Sequence, residues 1–241
     1  MAIMNDLDSI YSKAPEIESK IGYTFTDKGL LVLSLVHRSF VNENRELINE
    51  HNERLEFLGD SILGLIISEY LYRYLPETPE GELSYLRSRL VEASSCVNYM
   101  QQLGIEDYVL LGKGEQLNDG RGRESILADL FEAIVGAIFL DGGIEPTKRF
   151  IFQNFSTQIN ETMKRPDHNW KALLQDYSQK NFQQPPQYVV IEESGPDHSK
   201  TFVISVQIQD EEFGRGTGSS KKEAQQAAAE EAARKIGIPK E

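Results

Sequence analysis

Carboxylates recur at helical spacing in two stretches, where a metal site could use them. In HNERLEFLGDSIL, residues 51–63, a helical reading at about 100° per residue puts Glu53, Glu56 and Asp60 at i, i+3 and i+7, within one narrow stripe. Leu55, Leu58, Ile62, Leu65 and Ile66 fall on roughly the opposite side, and the apolar run continues past Gly64 and Ile67 to Leu71. That helix is expected to be buried on most sides. In RESILADLFEAIVGAIFLDGG, Asp129 and Glu132 sit at i, i+3 inside a helix wrapped by Ile126, Leu127, Leu130, Ile134, Val135, Ile138 and Phe139. Solvated surface acids rarely have such neighbours. Crowded carboxylates repel one another and lose hydration. A cation among them removes the conflict, and hard oxygen ligands suit Mg²⁺, with Mn²⁺ as a substitute. Glu80 precedes another helix; it reads either as a further acid of the cluster or as an acid well placed at a helix N-terminus. Ordinary exposed charge accounts for any one of these acids alone; two stripes on two hydrophobic helices shift the weight towards a divalent-metal site.

Other chemistries lack their residues. There is no His/Cys cluster with zinc spacing and no GxSxG or Cys/His arrangement for a covalent mechanism. GKGEQLNDGRG is a loop rather than a phosphate-binding turn, because no strand precedes it and the glycine spacing is wrong. His37 could be catalytic, but a hydrogen-bonded structural histidine beside an apolar stripe is the better reading.

The elements that would position the acids follow from periodicity and breakers. A short helix, a turn at 22–27 and a helix through GLLVLSLVHRSFV come first. The central acidic helix runs to about Tyr74 and stops before Pro76. A turn at Pro76, Pro79 and Gly81 leads to a helix over about 82–103. Residues 104–122 lack periodicity, the second acidic helix follows, and 144–163 reads as one more helix. Gly136 and Ala137 would let the second acidic helix approach another closely.

The character then changes. TMKRPDHN is a polar connector. NWKALLQDYSQK is an amphipathic helix with Trp170, Leu173, Leu174 and Tyr177 inward. QYVVIEE and TFVISVQIQ alternate as strands, the latter with Phe202, Ile204, Val206 and Ile208 on one face. A third strand near 212–216 leads to the helix KKEAQQAAAEEAARKI, whose alanines would pack on the sheet. Ser220 and Glu223 fit a capping box. Lys221 and Lys222 occupy the first turn, where the dipole disfavours cations; beside Gly216 and Gly218 they suit a bound phosphate. Gln175 and Gln179, i and i+4 on the polar face with Asp176 between them, suit 2′-hydroxyl contacts in a duplex minor groove.

The 241 residues carry a net charge of −13, which by itself speaks against a nucleic-acid partner. The acidity is uneven: residues 1–160 hold 14 Lys/Arg against 25 Asp/Glu, and 161–241 hold 11 against 13. It belongs to the part with the candidate metal site. The one cysteine, Cys96, fits a reducing compartment. No segment reads as a signal peptide or a membrane span, so an intracellular, cytoplasmic protein without a membrane partner is expected.

NERLEFLGDS, ILADLFEAIVGAIFLDGG and the α-β-β-β-α tail with GSSKKEAQQAAA resemble bacterial ribonuclease III, over nearly the whole chain. The resemblance implies an all-α helical endonuclease domain (1–160), a connector (161–167) and a small α+β double-stranded-RNA-binding domain (168–241). It implies that Glu56, Asp60, Asp129 and Glu132 are the metal-binding catalytic acids and that Glu53 and Glu80 support cleavage. Phe57 matches a homodimer-interface aromatic. Gln175, Gln179, His198, Lys221 and Lys222 match RNA-contacting positions, with Asp176 and Ser220 expected beside them. Val36, Ala172 and Ser219 depart from the family's usual residues; none touches the acids. The implied activity is Mg²⁺-dependent hydrolysis of double-stranded RNA to 5′-phosphate and 3′-hydroxyl ends with short 3′ overhangs, by a homodimer with no organic cofactor, acting on ribosomal RNA precursors and some mRNAs. A non-catalytic double-stranded-RNA-binding regulator is the alternative. A dead relative should have lost an acid, and all six positions are acidic. A nuclease of structured DNA is disfavoured, since the tail suits A-form RNA.

Overall fold

The computed structural model describes residues 4–117, 122–164, 170–196 and 200–237. The chain divides into two compact units, residues 1–164 and 165–241.

The first unit is helical among its described residues: α1 (Met4–Ile21), α2 (Lys28–Ser34), α3 (Arg38–Glu43), α4 (Glu53–Tyr74), α5 (Glu80–Val91), α6 (Ala93–Leu103), a 3₁₀ turn (Glu106–Tyr108), α7 (Lys113–Leu117), α8 (Arg123–Gly142) and α9 (Ile144–Lys164). Its centre is α8, apolar on nearly all sides, with Leu130, Phe131, Ala133, Ile134, Val135, Ala137 and Ile138 fully buried. Tyr99 and Phe155 pack against Phe131. The helix α4 crosses α8 at backbone contact. A Cβ on Gly59 would stand 1.8 Å from the Glu132 carbonyl oxygen, and one on Gly136 2.3 Å from the Leu55 carbonyl oxygen. Only glycine fits at either position.

Two helices expected as continuous are each broken in two. The run 29–41 stops at Ser34 because tertiary hydrogen bonds replace helical ones. Leu110 N–H donates to the Leu35 carbonyl (2.9 Å), His37 N–H to Leu110 (3.1 Å) and Asn52 N–H to Val36 (2.9 Å). His37 then caps α3, its ring accepting from Ser39 N–H. The run 82–103 breaks at Glu92, whose backbone is extended at φ −68°, ψ 156°. Ser95 Oγ donates to the Arg89 carbonyl at the break (2.7 Å). The new direction turns Cys96, Tyr99, Met100 and Leu103 into the core. The segment 104–122 is less irregular than expected, since it contains the 3₁₀ turn and α7. Leu65, expected inward, is exposed.

The turn at 22–27 is tied to the end of α8. Asp141 accepts from Tyr23 Oη (2.7 Å), Thr26 N–H (2.9 Å) and Asp27 N–H (2.8 Å). Its burial pushes its carboxyl up, but these hydrogen bonds outweigh it and hold the group below the usual range. Asp141→Ala is expected to cost about 2 kcal/mol, from charge-assisted bonds lost at a partly hydrated site. A urea midpoint equal to that of the wild type would show that the clamp contributes nothing.

The second unit has the order α10 (Trp170–Phe182), β1 (Gln187–Ser194), β2 (Thr201–Ile208), β3 (Glu211–Gly218), α11 (Lys221–Lys235), with an antiparallel sheet ordered β1-β2-β3. Phe202, Ile204, Val206 and Ile208 are buried together with Ala224, Ala228, Ala229, Ala232 and Ala233. In α10 the inward residues are Trp170, Leu174 and Ser178, whereas Leu173 is exposed. Gly214, Gly216 and Gly218 lie against α11; a Cβ on Gly216 would come 2.1 Å from Ala228 N. These glycines let helix and strand touch. Among the described residues no helix is long and apolar enough to cross a membrane.

Candidate active site

The helix crossing decides where the acids stand. Glu53 and Glu56 lie in the first turn of α4 and Asp60 one turn further on. Asp129 and Glu132 lie on α8, and the carbonyl of Glu132 is the atom that meets Gly59. Two sequence segments about 70 residues apart, on the helical numbering, thus deliver their carboxylates to one place.

The electrostatics record that gathering. Burial pushes Glu132 up to about 7, and the charges of Asp60, Asp129 and Glu56 add to the shift. Burial also raises Glu56, aided by Asp129, Glu53 and Asp60. Asp129 is raised by burial, with His37 opposing and Glu53 adding. The charges that raise Glu56 and Glu132 are those of neighbouring carboxylates. Among the described residues no group of three or more His, Cys, Asp or Glu side chains is drawn up so that it could hold a metal ion as it stands. The donor set itself, several crowded hard oxygens at raised pKa, fits Mg²⁺ or Mn²⁺.

The neighbouring groups fit zinc poorly. His37 Nδ1 accepts from Ser39 N–H (3.2 Å) and lies 2.7 Å from Ser39 Oγ, so its role as a structural cap is the one observed. Burial lowers its pKa, keeping the ring neutral, against the pull of Glu115, Asp129 and Glu53. The Cys96 thiol is buried 4.0 Å from Glu132 Oε1 and 3.7 Å from the Val91 carbonyl. Burial and the surrounding acids push it far above its ordinary range, so it stays protonated.

Glu80 opens α5 and takes a hydrogen bond from Ser84 Oγ (2.9 Å). Glu53 carries an ion pair with Arg38 (3.3 Å) and lies 3.7 Å from His51 Nδ1. Phe57 is 79% exposed, and with Leu65 and Tyr72 it makes an apolar stripe along α4.

In the second unit Gln175, Asp176 and Gln179 are exposed on α10, with Asp176 holding Lys180 at 2.7 Å. Ser220 caps α11, its hydroxyl accepting from Glu223 N–H (3.2 Å). The return arm of the expected capping box goes one residue earlier, where Glu223 accepts from Ser219 N–H (2.7 Å). Lys221 and Lys222 are exposed in the first turn, and Lys221 Nζ lies 5.6 Å from the Phe202 ring centroid. His198 lies outside the described residues.

Arg38, His51 and Cys96 are the neighbours that sequence reasoning missed. His51 is two residues from Glu53 and was within reach of a local reading, whereas only tertiary contact relates Arg38 and Cys96 to the acids.

The family described as Ribonuclease-III-like matches residues 27–159, and the double-stranded RNA binding motif matches 170–236. A protein named Ribonuclease 3 from Protochlamydia amoebophila is 66% identical over 236 residues, covering 98% of this chain and 97% of its own length. Another of that name, from Natranaerobius thermophilus, is 44% identical over 92% of this chain and 95% of its own. The crystal structure of the ribonuclease III nuclease domain from Campylobacter jejuni matches with a TM-score of 0.54 and 38% identity, covering 60% of this chain and 94% of that one. A second structure of that domain, described for flexibility in a region involved in dimer formation, matches with a TM-score of 0.52 and 40% identity, over 58% of this chain and 96% of its own. With the helical unit and the α-β-β-β-α unit both matched, and with full-length relatives at such identity, the chain belongs to the ribonuclease III family.

Proposed function

We propose that this protein is a divalent-metal-dependent endoribonuclease that hydrolyses double-stranded RNA to 5′-phosphate and 3′-hydroxyl ends with short 3′ overhangs. The observation that supports the reading is the glycine-mediated crossing of α4 and α8, beside which the carboxylates of both helices raise one another's pKa. Glu56, Asp60, Asp129 and Glu132 would hold the metal; Mg²⁺ bound there supplies a Lewis acid for the scissile phosphate and an activated water. Glu53 and Glu80 act as supporting acids. Glu53 stands within the interacting set, and Glu80, at the start of α5, is the further acid. The half-buried setting of Glu132 excludes bulk water from one side of the cluster.

The nuclease domain is assigned to 1–160 and the RNA-binding domain to 168–241, joined through 161–167. Gln175, Asp176, Gln179, His198, Ser220, Lys221 and Lys222 form the RNA-contacting set: short polar groups for the minor groove and a lysine pair for phosphate. This division answers the charge conflict, because the tail supplies affinity while cations neutralise the acidic face. The Phe57 stripe of α4 is the homodimer surface, supported by its exposure and by the dimer-forming region described for the Campylobacter jejuni domain. The substrates are ribosomal RNA precursors and some mRNAs, processed in the cytoplasm.

The test is incubation of the purified protein with an end-labelled long RNA duplex, with Mg²⁺ and with chelator, at fixed salt. Fragments only with Mg²⁺, with single-stranded RNA spared, are the expected result. A duplex shifted but intact under both conditions would establish a binding regulator instead.

A further inference from the structure

Arg38 occupies an unusual position for a cation in a strongly acidic unit. It opens α3 immediately after His37, in the segment that backbone hydrogen bonds tie to Leu110 and to the start of α4. The α-carbon of Arg38 is therefore fixed relative to Glu53. Its guanidinium is not held down in the same way. Nη1 stands 3.3 Å from Glu53 Oε1, and the two side chains are 61% and 44% exposed. Glu53 in turn adds to the negative potential that raises Glu56 and Asp129. Arg38 thus sits at the rim of the acid face, one carboxylate away from its centre.

Two physical points follow. An exposed, single-contact ion pair contributes little to stability, so the fold does not require this guanidinium to remain on Glu53. A phosphate diester is an equally good partner for the planar guanidinium, which can meet two of its oxygens at once. A duplex brought onto the acid face must lay phosphates across its rim, where the net field repels them. A tethered base, with its guanidinium free to turn from Glu53 to a phosphate, offsets that repulsion locally. The exchange also frees the Glu53 carboxylate at the moment the substrate arrives.

Resting on the nuclease reading above, we infer that Arg38 is a substrate-contacting residue: it holds a backbone phosphate of the RNA at the edge of the acid face. This contact lies in the helical unit, apart from the lysines and glutamines of the RNA-binding domain.

The test measures kcat/KM for cleavage of one RNA duplex across a range of KCl at fixed saturating Mg²⁺, for the wild type, R38Q and R38K. R38Q is expected to lose about 10-fold in kcat/KM, the scale of one charge-assisted hydrogen bond. Its plot of log kcat/KM against log salt should be shallower by about one, the signature of one lost phosphate contact. R38K should keep the wild-type slope, since the charge remains, while losing part of the rate with the bidentate geometry. Urea midpoints taken alongside should agree among the three, because the pair is exposed. A slope in R38Q equal to that of the wild type overturns the contact, even if the rate falls. So does a slope in R38K as shallow as that of R38Q. If the wild type does not cut duplex RNA at all, the nuclease reading fails and this inference falls with it; a cutting wild type with unchanged R38Q slope sinks only the inference.

Discussion

Glu132→Gln is expected to abolish cleavage and, in the metal-free protein, to raise the melting temperature at pH 8. The loss of activity should be on the order of 1,000-fold or more, because metal-assisted charge stabilisation supplies several kcal/mol. Duplex binding should persist, since the RNA-contacting set lies in the other unit. The stability effect follows from linkage. Glu132 is pushed up to about 7 by burial and by its acidic neighbours, against about 4.5 when unfolded. Between those pH values the folded chain holds a proton that the unfolded chain has released. Stability therefore falls as pH rises through this window and stays low above it. Discounted for partial solvent access, the penalty at pH 8 is about 1–2 kcal/mol, or roughly 3–6 °C in Tm. The neutral amide removes it. Scanning calorimetry in chelator at pH 5 and pH 8 checks the sign: the variant's advantage should appear at pH 8 and shrink at pH 5. Added Mg²⁺ should stabilise the wild type more at pH 8 than at pH 5, since the ion needs deprotonated carboxylates. A variant that cut at the wild-type rate would remove Glu132 from the site.

Gly59→Ala should unfold the helical unit or come close to it. The new Cβ would stand 1.8 Å from the Glu132 carbonyl oxygen, a backbone atom that cannot rotate away. The helices would have to part by more than 1 Å, opening α8 where Ala133 and Gly136 are buried. A cost of about 4 kcal/mol or more is expected, in the class of severe overpacking. Separation would also pull Glu56 and Asp60 from Asp129 and Glu132, so residual folded protein should cut poorly. Gly64→Ala, five residues along the same helix, is the control. Nothing lies within 4 Å of its added methyl, and replacing a helical glycine should be neutral or gain up to about 1 kcal/mol. Urea unfolding followed by far-UV circular dichroism distinguishes the two. Equal midpoints for both variants would refute the crossing as drawn.

Local pattern carried the elements well where burial is one-sided or complete. The span of α4, the hydrophobic wrap of α8 and the alternating β2 follow from 3.6- and 2-residue periods, and Pro76 marks the end of α4. The errors have one cause. The helices predicted over 29–41 and 82–103 were each interrupted by partners distant in sequence. Leu110 and Asn52 capture the backbone at 35–37, and a core that needs Cys96, Tyr99 and Met100 turned inward breaks the chain at Glu92. Propensity has no access to such competition.

By itself, the sequence determined that acids lie on two hydrophobic helices and that a second α-β-β-β-α segment follows, because side-chain type and period are properties of the local chain. Only the tertiary structure decided that these acids share one face. That depends on Gly59 and Gly136 letting two backbones touch, a contact between residues far apart in the chain. It also decided which groups surround the face: Arg38 on Glu53, His37 turned to Ser39, and Cys96 beneath Glu132. Charge interaction depends on distance through space and on burial, and neither is fixed until the helices cross.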